Sequence, residues 1–391
     1  MNSQNTPVHI HLWHHDFWRM AIANLLLTMS VYMLIPVLPK WMLENQKLTY
    51  QETGLAMGAF GFGLFLLGGF TSFLVQRFRR NMVCVWAVLA VAACLGLLYY
   101  LDGLHSQFVD FRLILGQRLV LGAFFGLAQM VLASTLIIDT CESFQRTEAN
   151  HSASWFARFG LSLGPIAALV LMPLYGFQTV VLISLGCTLV AVVLIMLVSF
   201  PFRAPEDHVP SFCLDRFFLP QGWLLFFNLV LITVATGLIL SLPLGMQFYS
   251  MLMVGFLLAI VAQRFVFREA DLKSEVITGL VLMFAALSLM LTRTQAIVGF
   301  ISPVFIGFSL GVIGSRFLLF FIKLSRHCQR GTSQSTFMLG WECGLAFGIG
   351  LGYAVCQGDN HLVLMSALGL VVIALVMYQF THSWFIRNKN R

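Results

Sequence analysis

Charge is what this sequence has least of. Only 10% of its 391 residues are Asp, Glu, Lys or Arg, against about 25% in soluble domains, which excludes an ordinary water-soluble fold. Cysteine is present but scattered. The eight (Cys84, Cys94, Cys141, Cys187, Cys213, Cys328, Cys343 and Cys356) include no C-x-x-C pair, so neither a metal site nor a disulfide framework is suggested. A phosphate-cradling G-x-x-x-x-G-K-[ST] loop and the zinc motif H-E-x-x-H are missing. Their absence argues against an ATP-driven cycle and against zinc hydrolysis. No polar stretch is long enough for a separate soluble domain.

What is there is apolar. The chain is 59% hydrophobic with a mean hydropathy of +0.87, and its apolar runs are continuous. A transmembrane barrel would alternate instead. Spanning the hydrocarbon takes about 20 apolar residues per helix, and twelve such runs are expected. They lie near 16–39, 51–76, 81–101, 111–138, 151–173, 176–200, 221–243, 246–267, 275–292, 296–322, 333–356 and 361–384. The first follows a polar tail without a small-residue cleavage site and is expected to be a retained helix. With the N-terminus inside, the inner connections hold 16 Lys or Arg and the outer ones only Lys40, Lys47, Arg112 and Arg293. Both termini are therefore expected to be cytoplasmic, in a multi-pass protein of the cytoplasmic (inner) membrane. The formal net charge of +7 then faces anionic headgroups, and nucleic acid is not needed to explain it. In HIHLWHH, His14 and His15 abut Trp13, Phe17 and Trp18, which reads as an interfacial anchor more than as a metal site.

The chain also repeats itself. Residues 24–39 (NLLLTMSVYMLIPVLP) and 228–243 (NLVLITVATGLILSLP) place Asn and Pro at the same separation. Gln76-Arg77-Phe78 and Gln263-Arg264-Phe265 end the second and eighth runs, with Gly68 and Gly255 at matching distances before them. RFGLSLG from Arg158 parallels ECGLAFG from Glu342, each beginning 12 residues after a loop arginine, Arg146 or Arg330. A duplicated six-helix plan is expected, with bundles over 1–200 and 221–391 and a cytoplasmic linker over 201–220.

These features resemble the major facilitator superfamily over nearly the full length. The opening LWHHDFWRMAIANLLL…YMLIPVLP looks like its arabinose-efflux-permease and drug:proton antiporter branches. RLVLG at 118–122 is similar to the fourth-helix signature Arg-x-x-x-Gly, and GLSLGP to the fifth-helix antiporter signature. Ala167 and Ala168 replace the two glycines that follow in that signature. SFLVQRFRRN resembles the loop motif Gly-x-x-x-Asp-Arg-x-Gly-Arg-Arg, but Ser72, Gln76 and Arg79 stand where Gly, Asp and Gly are expected. Arg77, Arg80 and Asp139 are left to supply a reduced cytoplasmic gate.

Four ionisable residues lie at membrane depth, where each costs at least ~2.5–3.5 kcal/mol on insertion scales: Arg118, Arg158, Arg316 and Glu342. Small-residue stripes at Gly340, Gly344, Gly348 and Gly352, and at Gly160, Gly164 and Ala168 ahead of or beside Pro165, let helices approach closely. At ~100° per residue, Arg158 and Glu342 point away from those stripes. Both are expected to face a central cavity as pseudo-symmetry mates. Glu342 is a candidate to take and release a proton, because its charged form is costly in hydrocarbon. The alternative is a fixed ion pair with Arg316. Arg118 and Gln129 share one helix face that can offer a guanidinium and an amide to cargo. Asn24, Tyr32 and Asn228 are further cavity candidates, with interhelical hydrogen bonds as their structural reading. Pro36, Pro39, Pro165 and Pro243 are expected to bend helices.

The resemblance implies a monomeric secondary transporter without a cofactor, driven by the proton gradient. Its cargo would be a small amphipathic, sugar-like or anionic compound, moved outward by alternating access. An uptake symporter or uniporter on the same fold is the alternative. A non-transporting receptor or enzyme is the remote one, since the sequence shows neither clustered catalytic groups nor an external domain.

Overall fold

The computed structural model describes residues 11–103, 109–142, 144–200, 209–267, 271–326 and 329–389. Eleven helical segments in it are long and apolar enough to cross a bilayer. In chain order they are α1 (His15–Glu44), α2 (Tyr50–Arg77), α3 (Arg80–Gly103), α4 (Phe111–Asp139), α5 (Arg146–Met196), α6 (Pro220–Leu240), α7 (Met246–Phe265), α8 (Leu272–Thr292), α9 (Val298–Leu324), α10 (Arg330–Ala354) and α11 (Asn360–Asn388). Side chains such as Trp86, Tyr100 and Phe380 lie exposed on the outer faces of α3 and α11, as lipid contact requires.

The expected fifth and sixth runs are one element here. α5 is 51 residues long and contains a single non-helical residue, Gly176, with φ 81°. A straight helix of that length would measure about 76 Å, more than twice the hydrocarbon thickness. The chain instead folds back at Gly176. Asn24 Nδ2 donates to Ala153 O (3.0 Å) and Arg19 Nη1 to Leu197 O (3.2 Å), so both ends of α5 lie beside the first half of α1. Glycine is the residue that reaches a positive φ without a Cβ penalty, and one residue thus replaces a loop.

Local chemistry sets the helix ends. Thr49 Oγ1 accepts from Glu52 N (3.2 Å) and Glu52 Oε2 accepts from Thr49 N (2.8 Å), a capping box that starts α2. Asp110 caps α4, and Asp359 caps α11 by accepting from the His361 and Leu362 amides. His14 Nδ1 accepts from Phe17 N (3.0 Å) to open α1, while Trp13 and Trp18 stay half exposed with ring centroids 5.1 Å apart. The anchor reading therefore fits the tryptophans, and His14 is a helix cap. Pro36 cannot donate to Tyr32 O, and α1 breaks there at Met33 into His15–Tyr32 and Leu34–Glu44. Pro39 and Pro165 lie inside helices. Pro243 does not bend α6: it follows the helix end at Leu240, where a proline cannot continue the helix.

The small-residue stripes pack as expected, and they do so twice. A Cβ on Gly160 would lie 2.7 Å from Thr28 Oγ1 and one on Gly164 2.9 Å from Met29 O, so α5 lies on α1. Gly344 abuts Thr233 Oγ1 and Gly348 abuts Val234 O, so α10 lies on α6 in the same way; Gly340 faces the Phe226 ring. Thr28 and Thr233 thus take the same place in the two contacts, one residue out of the register in which Asn24 matches Asn228. The sequence match of Gly68 with Gly255 does not carry over. Gly68 sits in a 3-10 turn against Phe217, and it is Gly63, on the backbone of α4, that mirrors Gly255 on the backbone of α9. Gly348→Leu is expected to abolish the yield of monodisperse protein, because a side chain there meets the α6 backbone. Gly186→Ala, whose Cβ meets nothing within 4 Å, is expected to be neutral in the same chromatographic assay.

Candidate functional site

Glu342 lies midway along α10 and is 3% exposed. Its Oε1 accepts a hydrogen bond from Tyr32 Oη at 2.6 Å. Tyr32 is the last residue of the first part of α1, immediately before the break that Pro36 imposes. The bond therefore joins a helix from the first half of the chain to one from the second. Arg316 is not the partner of Glu342: its Nε donates to Glu275 Oε2 at 2.6 Å, tying α9 to α8. The fixed-pair reading of Glu342 is thereby overturned. Among the described residues, Glu342 forms no ion pair within 4.0 Å.

Arg118 completes the group. It projects from α4 into the cavity that Tyr32 and Glu342 also line, with Met57, Phe60 and Ile349 among the apolar walls. Its guanidinium lies 5.0 Å from the Phe60 ring centroid. Gln129, further along α4, lines a second small cavity that shares Glu342, and neither of its amide atoms has a hydrogen-bond partner. The two cavities measure about 20 and 10 Å³, room for about one water at most. The centre is occluded.

Arg158 behaves differently from the expectation. It is 2% exposed and faces α9, not open space. It donates to Gly311 O (3.1 Å), Ser315 Oγ (2.9 Å) and Ser154 Oγ (2.8 Å), and it lies 4.5 Å from the Trp155 ring centroid. Arg158 and Glu342 keep equivalent places in the repeat, and each reaches into the opposite half. Only Glu342 borders the cavity. Asn24 and Asn228 are likewise removed from the cavity set. Their amides donate to Ala153 O and Ala374 O, each at 3.0 Å, which serves helix packing.

On the face carrying the termini, Arg80 and Asp139 pair at 2.6 Å. This bond links α3 to α4, within the first half, while Gln76 Nε2 donates to Ser72 Oγ within α2 (2.9 Å) and Arg77 ends that helix. The closure between halves is made elsewhere. Gly331 of α10 packs on Ser134 O of α4, and Arg216 of the linker bridges the same two helices, its N donating to Thr332 Oγ1 (2.9 Å) and its Nη1 to Thr135 Oγ1 (3.3 Å). Thr332 Oγ1 donates in turn to Asp215 Oδ1 of the linker (2.9 Å). Ser134 lies in a five-residue π-helical stretch of α4, Leu132–Leu136, the kind of distortion found at functional sites. On the opposite face a cavity of about 540 Å³ opens between Pro36 and Lys40 of α1, Pro243, and Gly352 and Tyr353 of α10. Its lining begins at Pro36, next to Ile35 of the occluded centre, and at Gly352, about one helical turn beyond Ile349.

Sequence reasoning missed Glu275. The available signal was charge balance: three arginines within apolar runs with one recognised acid leave a counter-charge to be found. Gly160-Leu161-Ser162-Leu163-Gly164 also has the spacing of a hydrolase nucleophile elbow. That elbow needs a strand-to-helix turn, whereas Ser162 is fully buried in the middle of α5.

An all-helical bundle with charged groups held at an occluded centre is the arrangement of a membrane transport protein. The sequence profile of the Major Facilitator Superfamily matches residues 20–348, and the chain belongs to that family. Its fold is similar to that of the human organic anion transporter MFSD10 (TETRAN), with TM-score 0.70, 14% identity, and 93% of this chain and 98% of that one covered. It is similar also to a point mutant of the nucleoside transporter NupG, with TM-score 0.65, 14% identity, and 93% and 99% covered. A bacterial homologue of the iron transporter ferroportin, in an outward-facing state, gives TM-score 0.62 at 17% identity, with 95% and 100% covered. No curated protein sequence matches the chain.

Proposed function

We propose that the protein is a proton-coupled secondary transporter of the cytoplasmic membrane, acting as a monomer, that exports a small amphipathic, sugar-like or anionic compound. The observation that carries this reading is Glu342. It is a buried carboxyl group with a phenol partner and no basic one, and it sits where the two halves of the chain meet. Ionised, it accepts the Tyr32 hydrogen bond; protonated, it loses the charge that makes burial costly. Proton binding therefore changes a bond between the halves, which is what coupling to a rocking motion requires. Export is supported by the likeness of the α1 and α5 sequences to efflux proteins.

Uptake by symport is the second reading. It is favoured by Arg118 and Glu342 lining one cavity unpaired, since an anion held by Arg118 would be repelled by an ionised Glu342. The test is a thermal-shift screen of purified protein against metabolites, sugars, siderophores, lipids and drugs, at acidic and at mildly alkaline pH. Each hit is then followed in vesicles of known orientation with and without a pH gradient. Outward movement of the hit against inward proton flow is expected. Entry together with protons establishes uptake instead, and movement indifferent to the gradient removes proton coupling.

A further inference from the structure

The three arginines at membrane depth, of which Arg118 and Arg158 are buried and Arg316 is 17% exposed, provide an internal comparison. Arg158 leaves only Nε unpartnered and spends both terminal nitrogens on a carbonyl and two hydroxyls, and Arg316 gives its Nε to a carboxylate. Arg118 is just as deep, at 4% exposure, yet its Nε and Nη1 are buried without any hydrogen-bond partner. It takes part in no ion pair within 4.0 Å among the described residues. The Phe60 ring 5.0 Å away offsets part of the positive charge but accepts no conventional hydrogen bond. One water in the cavity can take a hydrogen bond, but it leaves the charge uncompensated.

We propose that Arg118 is the binding group for the anionic end of the cargo, and that the cargo is an organic anion with an apolar body. This rests on the transport reading above and narrows it to one substrate class. A guanidinium is charged at any physiological pH, so its missing partner is an anion and not merely a polar group. Apart from the Tyr32–Glu342 pair, the cavity walls around it are apolar, with Val31, Leu34, Ile35, Met57 and Leu345 among them, and these suit a hydrocarbon or aryl body. A site whose buried donors wait for a charged acceptor rejects the neutral isostere strongly, because that isostere leaves the donors unpaired. Since the occluded cavity holds about one water, cargo enters as the helices part.

The experiment compares benzoate, hexanoate and octanoate with their primary amides as ligands of the purified wild-type protein, Arg118→Met and Arg118→Lys, read by melting temperature. At least one carboxylate is expected to raise the wild-type melting temperature by about 2 °C or more, and its amide is expected to have no effect. Arg118→Met is expected to lose the response while the ligand-free protein becomes no less stable, because an unpaired buried charge is removed. Arg118→Lys, which keeps the charge, is expected to keep part of the response. The inference is overturned by equal shifts from acid and amide, by no shift from any of the acids, or by a response that survives in Arg118→Met. Loss of ligand-free stability in Arg118→Met likewise overturns it, since that marks a structural arginine. The transport reading is judged separately in liposomes. Anion binding without any transport defeats that reading alone, and proton-coupled transport of a neutral cargo without an anion response defeats this inference alone.

Discussion

In the Glu342→Gln variant, cargo accumulation driven by a pH gradient is expected to fall by at least about tenfold, the scale of a typical coupling energy, while cargo exchange without a gradient continues. The amide keeps an oxygen able to accept from Tyr32 Oη, so the 2.6 Å contact and the fold are preserved. What the variant loses is the exchangeable proton. Tyr32→Phe makes the complementary change, keeping the carboxyl group and removing its hydrogen-bond donor. It is expected to weaken coupling without abolishing it. The measurement is uptake and counterflow in liposomes of defined orientation. Gradient-driven accumulation at the wild-type level in Glu342→Gln would place the proton on another residue.

Arg316→Met is expected to destabilise the protein more than any change at the central cavity. Its partner Glu275 has a side chain only 1% exposed, and breaking a buried ion pair by removing one member costs about 3–5 kcal/mol. Replacing both members by apolar side chains is often neutral, so Glu275→Leu/Arg316→Met is expected to recover most of the lost melting temperature. The double variant is also expected to keep proton-driven transport, since Arg316 does not touch Glu342. A melting-temperature cycle over wild type, both single variants and the double variant checks the first point, and the liposome assay the second. Additive single effects, with no recovery in the double variant, would show that the pair does not act as a unit.

Glu342 and Arg118 could be singled out from the sequence because an ionisable residue in an apolar run is rare and costly. No tertiary information is needed to notice it. The stripes that aim Glu342 away from α6 were equally legible, because helical periodicity alone sets which residues share a face. Pairing was not legible. Arg316 lies on the helix next to Glu342 in the chain, which made it the natural partner, yet Glu275 on α8 holds it. Asn24 and Asn228 looked like cavity residues of matching position, and both are spent on backbone carbonyls. Arg80 and Asp139 do meet, but within one half, so the contact between halves fell to Ser134, Gly331 and the bridging Arg216, which carry no sequence signature.

The sequence by itself determined that this chain spans a membrane many times as helices, and that Arg118, Arg158, Arg316 and Glu342 lie within its apolar runs. Those properties follow from hydropathy, periodicity and spacing, which are local. Only the tertiary structure decided the role open to each charge. A buried guanidinium or carboxyl group is defined by what lies within about 3 Å of it, and in a bundle that neighbour comes from a helix tens or hundreds of residues away. Tyr32 and Glu342 are 310 residues apart in the chain and share one hydrogen bond. Arg158 and Arg118 read alike in the sequence; in the folded protein one is bound on three sides and the other still has donors to give.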